Sequence, residues 1–219
     1  MVHITLNKIS KQYQTNWIFN DLSCVITPES PTAVIGYNGS GKSTLLQLIL
    51  SAITPTTGQI EYTKGSTRIN PEHAFRLMAI AAPYIELIEE FTLEEMLNFH
   101  RRLKPCVRNL KAHEVIKICN LENNSHKCIR NFSSGMKQKV KLALAILSDT
   151  PVLLLDEPTS NLDHEGIGWY HDLVQKHHKN RTVVVSSNSL EHEYSFCTQV
   201  INLEEYKTIP STDPFLVLY

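Results

Sequence analysis

The sequence predicts an α/β fold with a buried parallel sheet, and three features carry that prediction. A short apolar run, Thr32-Ala33-Val34-Ile35, leads into a glycine-rich loop and then into a helical apolar stretch at 45–50. Two later runs, Val152-Leu153-Leu154-Leu155 and Val183-Val184-Val185, are continuously apolar, the pattern of strands covered on both faces. Between the first strand and these two lies a polar-faced helical insert at about 90–130, with strand-rich sequence on either side.

Taken in order, residues 2–35 read as short strands. Ile4, Leu6, Phe19, Leu22, Val25 and Ile26 supply the apolar positions, and Asn20-Asp21 and the stretch from Pro28 to Pro31 break them. Tyr13 falls between strands, a little over twenty residues before the glycine loop. An aromatic there offers a flat face to a purine base, although periodicity by itself favours a packing role. After the loop helix, Pro55-Thr56-Thr57-Gly58 is a turn and Ile60-Glu61-Tyr62-Thr63 a strand. Residues 64–76 are polar and read as loop. Leu77-Met78-Ala79-Ile80-Ala81-Ala82 is a second short apolar run, stopped by Pro83. Thr92-Leu93-Glu94-Glu95 fits a capping box opening a helix that ends before Pro105, and a second helix covers 111–119. The serine-rich stretch Phe132-Ser133-Ser134-Gly135-Met136 opens a strong helix over 137–147. A further helix spans about 165–178, and the tail after it alternates weakly.

The glycine loop, Gly36-Tyr37-Asn38-Gly39-Ser40-Gly41-Lys42-Ser43-Thr44, fits G-x-x-x-x-G-K-[ST], the phosphate-binding pattern. Glycines let the backbone turn tightly enough for successive N–H groups to converge on phosphate oxygens. The helix that follows adds unpaired N–H groups and a partial positive charge. Lys42 supplies a point charge for β- and γ-phosphates, and Ser43 a hydroxyl for Mg²⁺. The run ending in Asp156-Glu157 puts two acids at the carboxyl end of a strand, where open α/β sheets bind ligands. Asp156 is then a candidate for holding Mg²⁺, and Glu157 for orienting or deprotonating an attacking water.

Bulk properties narrow the classes. The 219 residues suffice for one sizeable domain or a core with a small subdomain. A net charge of -1 offers no global field for nucleic acid or an anionic membrane. Five scattered cysteines without a C-x-x-C pattern suggest free thiols in a reducing compartment. The start of the chain lacks a signal-peptide core, and no apolar run approaches the roughly 20 residues of a membrane span, so a soluble protein is expected. His164, His171, His177, His178 and His192 match no metal-ligand spacing and read as solvated helix histidines.

Together these residues resemble the ATP-binding-cassette (ABC) ATPase domain over nearly the whole chain. Walker A is the glycine loop, and Walker B with its glutamate is Leu153-Leu154-Leu155-Asp156-Glu157. The signature is Phe132-Ser133-Ser134-Gly135-Met136, altered but with Ser133 and Gly135 in place. The D-loop is Ser160-Asn161-Leu162-Asp163, and Tyr13 matches the aromatic that stacks on the adenine. The resemblance implies a P-loop NTPase with a RecA-like core, an antiparallel β-subdomain and an inserted helical subdomain. It implies one ABC ATPase domain over 1–219, with core and β-subdomain at about 1–90 and 150–219 and the helical signature subdomain at about 91–149. It implies Mg-dependent hydrolysis of ATP between Walker A of one domain and the signature of a second, in a homodimer or heterodimer. It also implies a separate transmembrane permease docked on the helical subdomain, a site at the cytoplasmic face of the membrane, and no nucleic acid.

Two positions depart from the family pattern. Where a Q-loop glutamine is expected after Ala79–Ala82 the chain reads Pro83-Tyr84, and Tyr84 is taken as the replacement. The switch histidine after the Val183–Val185 strand is Asn188, which is shorter and never cationic. Glu157 is intact and favours an active enzyme. The alternative is an ATP-dependent dimerising clamp or regulator with little turnover.

Overall fold

The computed structural model describes residues 1–207. The end of the weakly alternating tail, and so of the expected core segment 150–219, lies outside the described residues. The chain opens with a long antiparallel hairpin, β1 (Val2–Tyr13) and β2 (Asn16–Ile26), followed by β3 (Thr32–Ile35) and α1 (Lys42–Ile49). Next come β4 (Thr57–Lys64), β5 (Thr67–Ile69), the one-turn α2 (Pro71–Ala74) and β6 (Met78–Ala81). Three longer helices follow: α3 (Leu93–Leu103), α4 (Ala112–Ile118) and α5 (Ser134–Ile146). The chain returns to sheet through β7 (Val152–Asp156), α6 (His164–His177), β8 (Thr182–Ser187), the short α7 (Glu191–Tyr194) and β9 (Gln199–Asn202).

The strands form two sheets. One has the order β2-β1-β4-β5 and is antiparallel; the other has the order β6-β7-β8-β3-β9 and is parallel. Successive side chains on a strand point to opposite faces, and the two cores follow that rule. Val152, Leu154, Val184 and Val34 pack with Leu45, Leu46 and Ile49 of α1 and with the inner face of the antiparallel sheet. Leu153, Leu155, Val183 and Val185 pack on the other face with Val140 and Ala143 of α5 and Tyr170 and Leu173 of α6. All residues of β7 and β8 are buried, which is why the runs Val152–Leu155 and Val183–Val185 within them are continuously apolar.

Two local expectations change. The short strands expected over 2–26 are one long hairpin, in which Asn20-Asp21 is a bulge and not a break. Asp21 adopts φ 51°, and its N–H is taken by Ser10 Oγ at 3.0 Å, so the ladder continues past it. Residues 64–76, read as loop, contain β5 and α2. β5 sits on the sheet edge with both faces largely open, so it needs no apolar alternation. α2 begins at Pro71 behind an Asn70 cap, whose Oδ1 accepts from Glu72 N at 3.0 Å. The capping box at α3 is formed: Thr92 N donates to Glu95 Oε2 at 2.8 Å and Glu95 N to Thr92 Oγ1 at 3.3 Å.

Candidate functional site

Strand order builds the site. Asp156 of β7 lies opposite Ser186 of β8, and Ile35 of β3 lies opposite Ser187. The carboxyl ends of three neighbouring strands thus bring Asp156-Glu157, Asn188 and the glycine loop to one edge, the edge where open α/β sheets bind ligands. The loop turns through Gly39 and Gly41 at φ 80° and 104°. A Cβ on Gly41 would stand 2.3 Å from Ile18 Cγ2, so the hairpin presses directly on the loop. The resulting cradle has a volume of about 190 Å³ and is lined by Ile18, Asn38, Gly39, Gly41, Lys42, Ser43, Thr44 and Glu157.

Lys42 is 4% exposed, and its three protons meet three acceptors. Nζ donates to Gly36 O at 3.0 Å, Tyr37 O at 3.1 Å and Asn188 Oδ1 at 2.6 Å. Asn188 Nδ2 in turn donates to Glu157 Oε1 at 2.9 Å. The amide therefore bridges the loop lysine and the strand-end acid, and only this orientation gives the ammonium an acceptor and the carboxylate a donor. Burial lowers the Lys42 pKa, and the negative charges of Glu157, Asp156, Glu204 and Glu193 oppose that shift.

Asp156 is 1% exposed. Ser186 Oγ donates to its Oδ1, and Oδ2 is buried with no hydrogen-bond partner among the described residues. Burial raises its pKa, and the Ser186 hydrogen bond and the nearby Ser43 hydroxyl oppose the rise. A buried carboxylate oxygen left without a donor, next to a serine hydroxyl, is an oxygen donor set that fits Mg²⁺. Glu157 holds φ 45°, a left-handed conformation rare outside glycine, at the point where β7 turns. Tyr84 has its hydroxyl pushed up to about 12 by burial and then by the charge of Asp156, with a hydrogen bond to Gln47 opposing. The residue at the expected glutamine position therefore feels the charge of the β7 acid.

A second group gathers at the start of α5. Ser133 caps the helix, its Oγ accepting from Met136 N at 3.2 Å. A Cβ on Gly135 would lie 2.9 Å from the carbonyl oxygen of Asn161, so only glycine fits the close approach of helix and turn. Asp163 Oδ1 accepts from Gly166 N at 2.8 Å and caps α6. Ser133, Gly135, Met136, Lys139, Asn161 and Asp163 border a hollow of about 320 Å³ that shares no lining residue with the loop cradle. The two hollows are thus separate in the chain. Tyr13 belongs to neither lining: it ends β1, is 45% exposed, and has the Lys11 ammonium 4.8 Å above its ring.

Sequence reasoning missed several residues that shape the cradle. Ile18 reaches it from β2, Ser186 of β8 holds Asp156, and Glu204 Oε1 accepts from Tyr37 N at 3.3 Å. Ser186 carried a signal, being the first polar residue after an apolar strand. Ile18 and Glu204 carried none.

Residues 19–160 match the family described as ABC transporter. Among curated proteins, the chain is 27% identical over 221 aligned positions to Nod factor export ATP-binding protein I of Rhizobium meliloti (strain 1021). That alignment covers 99% of this chain and 66% of the relative, so the chain spans about two thirds of its length. Among solved structures, the ATP-binding subunit of an ABC transporter superposes with a TM-score of 0.76 at 26% identity, covering 91% of this chain and 85% of that one. A dimeric ATP-binding cassette in a post-hydrolysis state, bound to ADP and Pi, shares the fold with a TM-score of 0.75 at 22% identity over 91% and 93% of the two chains. With the loop, the strand-end acids and the serine-capped hollow in the arrangement described, the chain belongs to the ABC transporter family.

Proposed function

We propose that this chain is the ATP-binding and hydrolysing subunit of an ABC transporter. It pairs with a second ATPase domain over two ATP molecules and drives a separate transmembrane permease at the cytoplasmic face of the membrane. The observation that carries the reading is the hydrogen-bonded chain Lys42–Asn188–Glu157 at the mouth of the glycine loop, beside a buried Asp156 with an unpartnered oxygen.

Each residue then has a role. The N–H groups of Gly36 to Thr44 receive the phosphates, with the side chain of Lys42 as the counter-charge. Ser43 and Asp156 hold Mg²⁺, which when bound neutralises phosphate charge. Glu157 orients and deprotonates the attacking water, and Asn188 donates to the γ-phosphate once Lys42 has turned to it. Tyr13 stacks on the adenine with the ring face that Lys11 leaves open. Ser133, Gly135 and Asp163 receive the γ-phosphate of the partner domain's ATP, since in their own chain they lie in a separate hollow. The helical part at about 91–149 is the subdomain that meets the permease. Among the described residues no helix is long and apolar enough to cross a membrane, which supports a membrane unit on another polypeptide or segment. The export and cassette relatives support transport and ATP-driven pairing.

A specific feature favours a second reading. Asn188 already satisfies the third proton of Lys42, and a tyrosine stands at the Q-loop position, which suits a clamp that binds ATP and dimerises with little turnover. Titration with a fluorescent ATP analogue tests the shared premise. Lys42→Ala removes the one cation among the described residues that line the cradle, the rest being neutral apart from Glu157, and affinity should fall at least about tenfold. Unchanged affinity would refute the loop assignment.

A further inference from the structure

The turn that follows Glu157 is held from two sides, and one of the two holds is a buried acid. Gln138 Nε2 of α5 donates to Pro158 O at 2.9 Å. On the opposite side Glu193 of α7, 1% exposed, receives both donors of Thr159: the N–H at 3.0 Å and the hydroxyl at 2.6 Å, each at Oε1. Because the Thr159 hydroxyl gives its proton to Glu193, it can only accept from His192 Nε2, 3.1 Å away. Tyr170 OH fixes the backbone of the acid through Glu193 O at 2.8 Å. Glu193 Oε2 is buried without a partner among the described residues. A buried carboxylate is costly unless hydrogen bonds offset its desolvation, and both bonds to this side chain come from that one turn.

The turn needs fixing. Glu157 sits at φ 45°, and such residues persist only where their surroundings over-determine them. Ser160 N and Oγ close the turn onto Glu157 O at 3.1 and 2.8 Å, and Thr159, held by Glu193, lies inside that turn. The same acid is five residues after Asn188, in the helix that opens from the switch segment, where Leu190 N donates to Ser187 Oγ at 3.0 Å. Glu193 is therefore tied to both partners of the Asn188–Glu157 hydrogen bond, one through Thr159 and the other through its own helix.

We propose that Glu193 is a positioning residue that fixes the Glu157 carboxylate against Asn188 by tethering the Thr159 turn to the switch helix. The proposal rests on the ATPase reading for its effect on rate, but not for the tether. Its loss frees Glu157 to leave the line of attack while the glycine loop and Lys42 stay intact. Misplacing a catalytic group by about 1 Å costs about a hundredfold in rate.

Three variants of the full chain test it: Glu193→Ala, Glu193→Gln and Thr159→Val. Glutamine keeps an oxygen that accepts from both Thr159 donors, whereas alanine keeps none. Valine keeps the shape of threonine without the hydroxyl. In Glu193→Ala, single-turnover hydrolysis should fall about ten- to a hundredfold with nucleotide affinity within a few-fold of wild type. Glu193→Gln should recover most of the lost rate, and Thr159→Val should fall between. Amide hydrogen exchange of the 157–163 peptide should lose protection in Glu193→Ala and regain it in Glu193→Gln. Unchanged exchange in Glu193→Ala overturns the tether. Equal loss of rate in the alanine and glutamine variants, or loss of affinity alongside rate, reduces Glu193 to a structural residue and overturns the positioning role. A wild-type protein without turnover overturns the ATPase reading alone, and the exchange arm then decides the tether by itself.

Discussion

Replacing Asn188 by alanine should move nucleotide affinity and turnover in opposite directions. The amide accepts the third proton of Lys42 at 2.6 Å and donates to Glu157 at 2.9 Å. A phosphate arriving at Lys42 must displace that amide oxygen. A hydrogen bond to a charged group contributes about 1.5–3 kcal/mol, and about 1.4 kcal/mol is tenfold in affinity. Water takes the place of the amide in the variant and recovers much of that energy. ATP binding should therefore tighten by about two- to tenfold. Turnover should fall, because the γ-phosphate loses a donor. Such a donor is worth about 2.7–4 kcal/mol where fully preorganised, and less here because the cradle opens to solvent. The expected loss is about ten- to a hundredfold in single-turnover rate. Asn188→His reaches farther and shares charge as the phosphoryl group departs, so hydrolysis should rise by about an order of magnitude at most, with affinity within a few-fold. The assay is a fluorescent-nucleotide titration paired with single-turnover hydrolysis in the closed dimer, which separates binding from chemistry. If Asn188→Ala weakens both together, the bridge is no restraint on Lys42. If neither changes, Asn188 does not act at the γ-phosphate and the clamp reading gains.

Two further outcomes follow from the same geometry. Glu157→Gln keeps the shape of the side chain and removes its charge, so it should bind ATP and form a longer-lived dimer in sedimentation than wild type; turnover at the wild-type rate would remove Glu157 from the chemistry. His100 has its pKa lowered by burial and then by the Lys104 charge, so the unfolded chain takes up its proton at a higher pH than the native chain. The stability it contributes is full above 6.5 and is lost as pH falls through the lower native value, at about 1.4 kcal/mol per pH unit at most. Urea midpoints at pH 7.5, 6.5 and 5.5 should decline, and less steeply in His100→Asn; an identical slope would refute the assignment. His177 shifts in the same direction, so the variant should flatten the slope without abolishing it.

The readable parts of the sequence were those whose signal is local. The strand–loop–helix around Lys42, the capping box at Thr92 and the buried runs of β7 and β8 each declare themselves within about ten residues, and each formed where expected. β5 escaped because an edge strand exposed on both faces has no reason to alternate. The bulge at Asp21 escaped because a left-handed aspartate looks like a turn until Ser10 of the neighbouring strand is seen to hold it. At the site, the loop and the acids were legible, while the contacts between them were not. That Asn188 lies between Lys42 and Glu157 depends on the order β7-β8-β3, which no stretch of sequence encodes locally. The same holds for Glu193 and Thr159, 34 residues apart in sequence and bonded at 2.6 Å.

Hydrolysis of ATP by the Lys42–Asn188–Glu157 constellation is tested by steady-state phosphate release from the purified chain, with ATP and Mg²⁺, against Glu157→Gln. The expected result is a slow release that the substitution abolishes while nucleotide stays bound. Release equal in the two proteins, or bound nucleotide with no release from the wild type even with a membrane partner present, would contradict it.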